Sequence, residues 1–228
     1  MTAAVGLYQR LKLPLPWNPT SEPLPLVVYG GASAVGAFAI KFARLSNIHP
    51  LIVVAGRGSA FVETLIDREK GDTIIDYRQE DAEAISAQLK AAAGGRPVHH
   101  AFDAVAEKGS QRNIGAALTV PGEITTVEPS DDYQAPEGIR IGQTIVGTVH
   151  MAPSAGKLLE DGEFAAAFFP FLGRGLAHGW FSGHPYQVRP GGLAGIQGAL
   201  HDLQAGKASA VKYVVRIGET EGVVQQDS

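Results

Sequence analysis

Short apolar runs alternate with longer segments of helical periodicity along most of this chain. Leu26 to Tyr29 reads as a buried strand, and a glycine turn over positions 30–36 leads into a helix with Phe38, Ile40, Phe42 and Leu45 on its apolar face. Leu51 to Ala55 is a second buried strand of β-branched character, ended by Gly56-Arg57-Gly58; Phe61, Leu65 and Ile66 then line a second helix. Thr73 to Asp76 is a third strand, followed by Tyr77. Asp81 to Ala93 is an alanine-rich helix with Ile85 and Leu89 inward. Val98 to Asp103 is a fourth strand and Lys108 to Leu118 a helix, and Glu123 to Val127 and Thr144 to Val149 are two further strands. This alternation predicts an α/β fold built on a doubly wound parallel sheet.

The ends depart from that rhythm. Met1 to Arg10 is helical, stopped by Leu13-Pro-Leu-Pro-Trp17, and Pro19 to Pro25 is a linker. Gly162 to Leu176 is a helix dense in aromatics (Phe164, Phe168, Phe169, Phe171), with Pro170 placed to kink it. Gly183 to Val188 reads as a lone strand outside the sheet, Leu193 to Gln204 as a helix ending at Gly206, Val211 to Ile217 as a final strand, and the residues beyond Gly218 as a polar tail. Three parts result: an N-terminal helix and linker over 1–23, a parallel-sheet domain over 24–150, and a flanking helix with a C-terminal strip over 151–228.

Composition narrows the function classes. With 228 residues, 45% of them hydrophobic, the chain can bury one substantial core, or one domain and part of another. A net charge of −4 gives no electrostatic case for nucleic acid or an anionic membrane. No apolar run approaches the roughly 20 residues that span a bilayer, and the first residues lack a signal-peptide pattern. The sequence has no cysteine, which excludes thiol catalysis, disulfides and thiolate-bound zinc, and is compatible with a reducing, cytoplasmic setting.

The glycine turn carries the first chemistry. Strand, glycine turn and helix form the opening unit of a dinucleotide-binding (Rossmann) fold, whose helix start offers backbone N–H groups to a pyrophosphate. The fingerprint here is Gly31-x-Ser33-x-x-Gly36, with Ala32, Ala34 and Val35 between. Serine at the second glycine position narrows the approach but adds a hydroxyl. Two other motifs fail on spacing: a nucleophile elbow needs glycine at Val35, and no Gly-Lys-Ser/Thr closes the turn as a P-loop. An NAD site places Asp or Glu about 20 residues beyond the glycines. Here no carboxylate stands between Gly36 and Glu63, and the expected place holds Ala55-Gly56-Arg57-Gly58-Ser59. The planar fork of Arg57 suits a 2′-phosphate, so NADP(H) is preferred over NAD(H). Tyr77 is a candidate to stack along the adenine. The plainer alternatives are a solvated turn arginine and a surface aromatic.

Catalytic groups are not legible. Tyr8-Gln-Arg-Leu-Lys12 spells the Tyr-x-x-x-Lys of short-chain dehydrogenases but precedes the glycine turn, and is read as chance. His99 and His100 are neighbours on a strand and face opposite ways. His178, His184 and His201 have no ligand spacing with carboxylates, and no metal site is predicted.

Four segments in order carry a resemblance: Thr2-Ala-Ala-Val-Gly-Leu-Tyr-Gln9, Leu13-Pro-Leu-Pro-Trp17, Val28-Tyr-Gly-Gly-Ala-Ser-Ala-Val-Gly36 and Gly71-Asp-Thr-Ile-Ile-Asp-Tyr77. Together with Pro190-Gly-Gly-Leu193 and Gly206-Lys-Ala-Ser-Ala-Val-Lys212, the chain resembles the medium-chain dehydrogenase/reductase superfamily. Within it the chain is similar to the zinc-independent enoyl reductases that act in trans on polyketide synthases. The resemblance implies hydride transfer from NADPH to an activated C=C of a small or carrier-bound enoyl substrate, with a polyketide synthase as partner. It implies Ala32 to Val35 at the pyrophosphate, Ala55 to Gly58 at the 2′-phosphate, Tyr77 at the adenine, Thr2, Val146 and Gly147 at the nicotinamide, and Lys207 at the cofactor cleft. Members of that superfamily carry a long segment ahead of Thr-Ala-Ala, forming most of a GroES-like catalytic domain. The ends of this chain are therefore expected to be remnants of that domain. Apolar surface on Val5, Leu7, Trp17 and the phenylalanine-rich helix is expected to lack cover and to favour self-association. A non-catalytic nucleotide-binding or partner module and a quinone reductase remain alternative functions.

Overall fold

The computed structural model describes residues 1–78, 81–107, 109–128, 133–151 and 157–223; Lys108 and the last tail residues, 224–228, lie outside them. The chain divides into two compact units, Met1–Ser182 and Gly183–Ser228.

The first unit is built on six parallel strands: β1 (Leu26–Tyr29), β2 (Leu51–Ala55), β3 (Thr73–Asp76), β4 (His100–Asp103), β5 (Gly122–Thr126) and β6 (Ile139–Gln143). Their order is β3-β2-β1-β4-β5-β6. Every residue of β1 and β2 is buried, the near-continuous apolar pattern of strands covered on both faces. The N-terminal helix α1 (Thr2–Ala4, continuing as a π-helix over Val5–Arg10), α2 (Ala34–Leu45) and α3 (Ser59–Glu63) share one face of the sheet with Val28, Val53 and Phe102. The other face holds α4 (Ala82–Ala92) and α5 (Ser110–Ala117), with Ile85, Leu89 and Ile114 packed on Val27, Val54 and Ile124. A long helix, α6 (Lys157–Ala177), completes the unit on the first face and contains Pro170.

Several expectations need correction. The sixth strand is Ile139–Gln143, whereas Val146–His150 is a 3-10 turn. The more apolar run turns instead of extending: the Thr148 N–H donates to Ile145 O and the Met151 N–H to Thr148 O (3.3 Å each), while the Thr148 hydroxyl is drawn to Asp161 Oδ2 of α6 (2.6 Å). Helix α3 stops at Glu63, short of Leu65 and Ile66. Thr64 Oγ1 bonds Phe61 O (2.7 Å) and Arg44 Nη1 takes Leu65 O (2.6 Å).

The apolar surface expected to lack cover is largely covered. Val5 and Leu7 are fully buried, and Phe168 is sealed between Phe42 (5.3 Å between ring centroids, edge-on) and Phe164 (5.0 Å, stacked). The aromatics of α6 fold back on α1 and α2, leaving Trp17 and Phe169 about half exposed.

In the second unit, β7 (Tyr186–Arg189) pairs in parallel with β8 (Lys212–Val215), so the segment expected as a lone strand has a partner. Between them runs α7 (Ile196–Gln204), entered through a 3-10 turn over Gly192–Gly195.

Candidate functional site

The strand order reverses direction between β1 and β4, and crevices for ligands form outside the carboxyl ends of the strands at such a switch point. Tyr29 and Asp103 end these two strands in register, so the glycine turn and the turn after β4 flank the crevice.

The glycine turn is shaped by backbone crowding. Gly30 lies at φ +81°, a conformation that favours glycine. The N–H groups of Gly30 and Gly31 both donate to Val54 O (2.9 and 3.0 Å), which seats the turn on β2. A Cβ on Gly36 would fall 2.3 Å from Gly30 O and 2.9 Å from Gly31 Cα; the first turn of α2 presses on the loop that precedes it. Ser33 caps α2, its Oγ accepting the Gly36 N–H at 3.0 Å. Serine at the second glycine position therefore serves as the N-cap, a role that uses its oxygen as acceptor and not its O–H. Ala32, Ser33, Ala34 and Val35 are half-buried. First-turn N–H groups, here those of Ala34 and Val35, have no intrahelical acceptor, and no acid occupies that turn to compete with an anion. These features fit a pyrophosphate.

The β2 and β3 ends adjoin. Ala55 is in register with Asp76, and the Tyr77 N–H donates to Ala55 O (3.3 Å). The Tyr77 ring lies across Gly56, where a Cβ would come within 2.6 Å of Cε1, so glycine is needed for this contact. Gly58 is buried and Arg57 is exposed at the tip of the turn. Ser59, a candidate hydroxyl donor, gives its O–H to Gly56 O and holds the turn instead. Asp76, an acid close to this turn, is paired with Arg78 (Nη2–Oδ2 2.6 Å). The hydrogen bonds from that guanidinium and its backbone N–H hold its pKa at about 2.

At the other end of the crevice, α1 packs on the carboxyl end of the sheet. Gly6 leaves no room for a Cβ, which would sit 2.3 Å from the Phe102 ring and 3.1 Å from Thr144 Oγ1. Val5 packs with Val149. Thr2 opens α1, and Val146 and Gly147 open the turn after β6, with Val146 exposed. That turn is clamped by Asp161 of α6, which is 1% exposed: its Oδ1 accepts Arg10 Nη1 (2.9 Å) and its Oδ2 accepts Arg10 Nη2 and Thr148 Oγ1 (2.6 Å). Burial pushes this carboxyl up, and the Arg10 and Thr148 hydrogen bonds outweigh it, so its pKa is lowered. Sequence reasoning missed this clamp. Lys207 belongs to the second unit, where its ammonium is paired with Asp202 (2.7 Å).

Sequence reasoning also missed Asp103. It is fully buried, and its carboxylate accepts the N–H groups of Val105 (3.1 Å) and Ala106 (2.9 Å) and the Ser110 hydroxyl (2.5 Å). Burial pushes its pKa up against those donors. Tyr8 is structural: its hydroxyl donates to Phe42 O (3.1 Å) and meets Ser46 Oγ (2.9 Å), and burial raises its pKa strongly. Among the described residues, no three His, Asp or Glu side chains converge as a metal site, and no helix is long and apolar enough to cross a membrane.

With this geometry in place, the curated proteins supply the comparison. The trans-enoyl reductase fsr4 of Gibberella fujikuroi is 43% identical over 199 residues, covering 85% of this chain and 56% of its own length. The chain is a homologue of the trans-enoyl reductases. A second relative, the trans-enoyl reductase ACTTS2 of Alternaria alternata, is 28% identical over 95% of this chain and 62% of its own length. The homologue described here thus spans less than two thirds of either relative. Among solved structures, the apo JamJ enoyl reductase superposes with a TM-score of 0.68 at 13% identity, over 94% of this chain and 60% of its own. A putative zinc-dependent alcohol dehydrogenase from Rhizobium etli gives 0.70 at 19%, with the same coverage. These likenesses, both under 25% identity, establish the fold alone. No family model matches the sequence.

Proposed function

We propose that the chain is the cofactor-binding part of an NADPH-dependent, zinc-independent enoyl reductase that reduces an activated C=C of an enoyl thioester carried by a polyketide synthase in the cytoplasm. The observation that carries this reading is the pairing of two turns at the carboxyl ends of neighbouring strands. The glycine turn at β1 offers helix N–H groups without a competing acid, and the β2 turn offers Arg57 beside Tyr77. When bound, the nicotinamide supplies hydride chemistry; the protein positions and polarises. Ala34 and Val35 would donate to the pyrophosphate, Arg57 would pair with the 2′-phosphate, and Tyr77 would cover the adenine. Thr2, Val146 and Gly147 would border the nicotinamide.

The relatives' longer chains favour a second reading, in which this chain binds the nucleotide without turning it over. Titration of the purified chain with NADPH, followed by an assay of NADPH oxidation with an enoyl thioester, separates the two. Binding with turnover supports the reductase. Binding without turnover supports the module, and no binding rejects both.

A further inference from the structure

The turn after β4 is held by a single buried carboxylate. Asp103 accepts both consecutive N–H groups of that turn, Val105 and Ala106, and ties them to Ser110 at the start of α5. Ala106 lies at φ +57°, a left-handed conformation unfavourable for a residue with a Cβ. Residues in such conformations persist where their surroundings over-determine them, and they cluster at functional sites. Held this way, the turn carries Val105 onto the glycine turn: a Cβ on Gly30 would lie 2.0 Å from Val105 Cγ2. The loops on the two sides of the switch point are therefore in direct contact.

We propose that Asp103 is a positioning residue for the dinucleotide, fixing the 104–107 turn as the wall of the crevice that faces the glycine turn. This rests on the cofactor reading above. A carboxylate is suited to the task because it is acceptor-only when ionised and can serve all three donors at once. Asparagine keeps one acceptor oxygen for the backbone pair, and the Ser110 hydroxyl can rotate to accept from its amide. Alanine orphans two part-buried N–H groups and releases Ala106 from its left-handed conformation.

The test titrates the whole chain, unaltered and as Asp103→Ala and Asp103→Asn, with NADPH and with 2′-AMP, well below the unfolding temperature of each. The wall faces the glycine turn and not the Arg57 turn. The expected result for Asp103→Ala is therefore at least about tenfold weaker NADPH binding, with 2′-AMP, which has no 5′-phosphate to reach the glycine turn, held within about threefold, and Asp103→Asn restoring most of the NADPH affinity. A merely structural role would lower the unfolding temperature and leave NADPH affinity unchanged, or weaken both ligands alike; either result overturns the proposal. Should Asp103→Ala not fold, Val105→Ala removes the contact on Gly30 with Asp103 in place. It is expected to weaken NADPH about threefold, and unchanged affinity overturns the proposal. If the unaltered chain binds neither ligand, the cofactor reading falls and this inference with it. If it binds NADPH and Asp103→Ala binds equally well, the inference alone falls.

Discussion

Gly36→Ala tests whether the glycine turn is held by backbone crowding or merely tolerates glycine. The two effects of the substitution oppose each other. Alanine favours a helix by up to about 1 kcal/mol over glycine, and by less in a first turn. Against that, the new Cβ would land 2.3 Å from Gly30 O and 2.9 Å from Gly30 C and Gly31 Cα. All three are backbone atoms, so no side chain can rotate away, and α2 must retreat by about 1 Å to restore van der Waals separation. Overpacking of this kind costs about 1–3 kcal/mol or more, so the clash wins by about 1–2 kcal/mol net. For a chain of this size that lowers the unfolding midpoint by about 2–8 °C. The same retreat draws the Ala34 and Val35 N–H groups away from the crevice, and losing a hydrogen bond to a charged group weakens NADPH by about tenfold or more. Thermal unfolding followed by circular dichroism, with an NADPH titration at 20 °C, reads both. Gly142→Ala is the control, since its Cβ would meet nothing within 4 Å. A Gly36→Ala chain as stable as the parent, or more so, would refute the crowding argument.

Removing Arg10 as Arg10→Met leaves the buried Asp161 carboxylate with Thr148 as its one hydrogen-bond partner among the described residues, and breaking such a pair costs about 3–5 kcal/mol, measured by urea unfolding. The native pKa of Asp161 lies below its unfolded value of about 3.9, so its stabilising contribution is complete above that value and is lost as pH falls through the native one. The stability difference between parent and Asp161→Asn should therefore shrink as urea midpoints are followed from pH 6 toward pH 3; a difference that stays constant contradicts the clamp. Tyr77→Ala uncovers Gly56 and removes the ring from the adenosine side, so NADPH and 2′,5′-ADP should weaken together by about tenfold, while Tyr77→Phe stays near the parent.

What the sequence made legible was local. The β1–glycine turn–α2 unit follows from an apolar run, turn chemistry and helical period, all within twenty residues, and it folds as that pattern predicts. Serine at position 33 is explained by its cap on Gly36, a role readable from its spacing. The missed parts depend on distant partners. Arg10 and Asp161 are 151 residues apart, and nothing in the period of either helix marks them as a pair. Asp103 stands at the end of an apolar strand, where an acid reads as a solvated turn residue until its three donors are seen. The sixth strand was misplaced because hydrophobicity favoured Ile145 to Val149 over Ile139 to Gln143. The edge position lets Arg140 and Gln143 remain in solvent, and backbone N–H bonds from Thr148 to Ile145 O and from Met151 to Thr148 O turn the apolar run.

The central claim is that a 2′-phosphorylated dinucleotide sits across the two turns with Arg57 on its phosphate. Its most direct test is the ratio of NADH to NADPH dissociation constants for the unaltered chain and for Arg57→Ala. The expected result is a preference for NADPH of about tenfold to a hundredfold, the worth of charge-assisted hydrogen bonds, which falls to near unity in Arg57→Ala with NADH affinity unchanged. Equal affinity for the two cofactors in the unaltered chain, or equal losses for both in the variant, would contradict it.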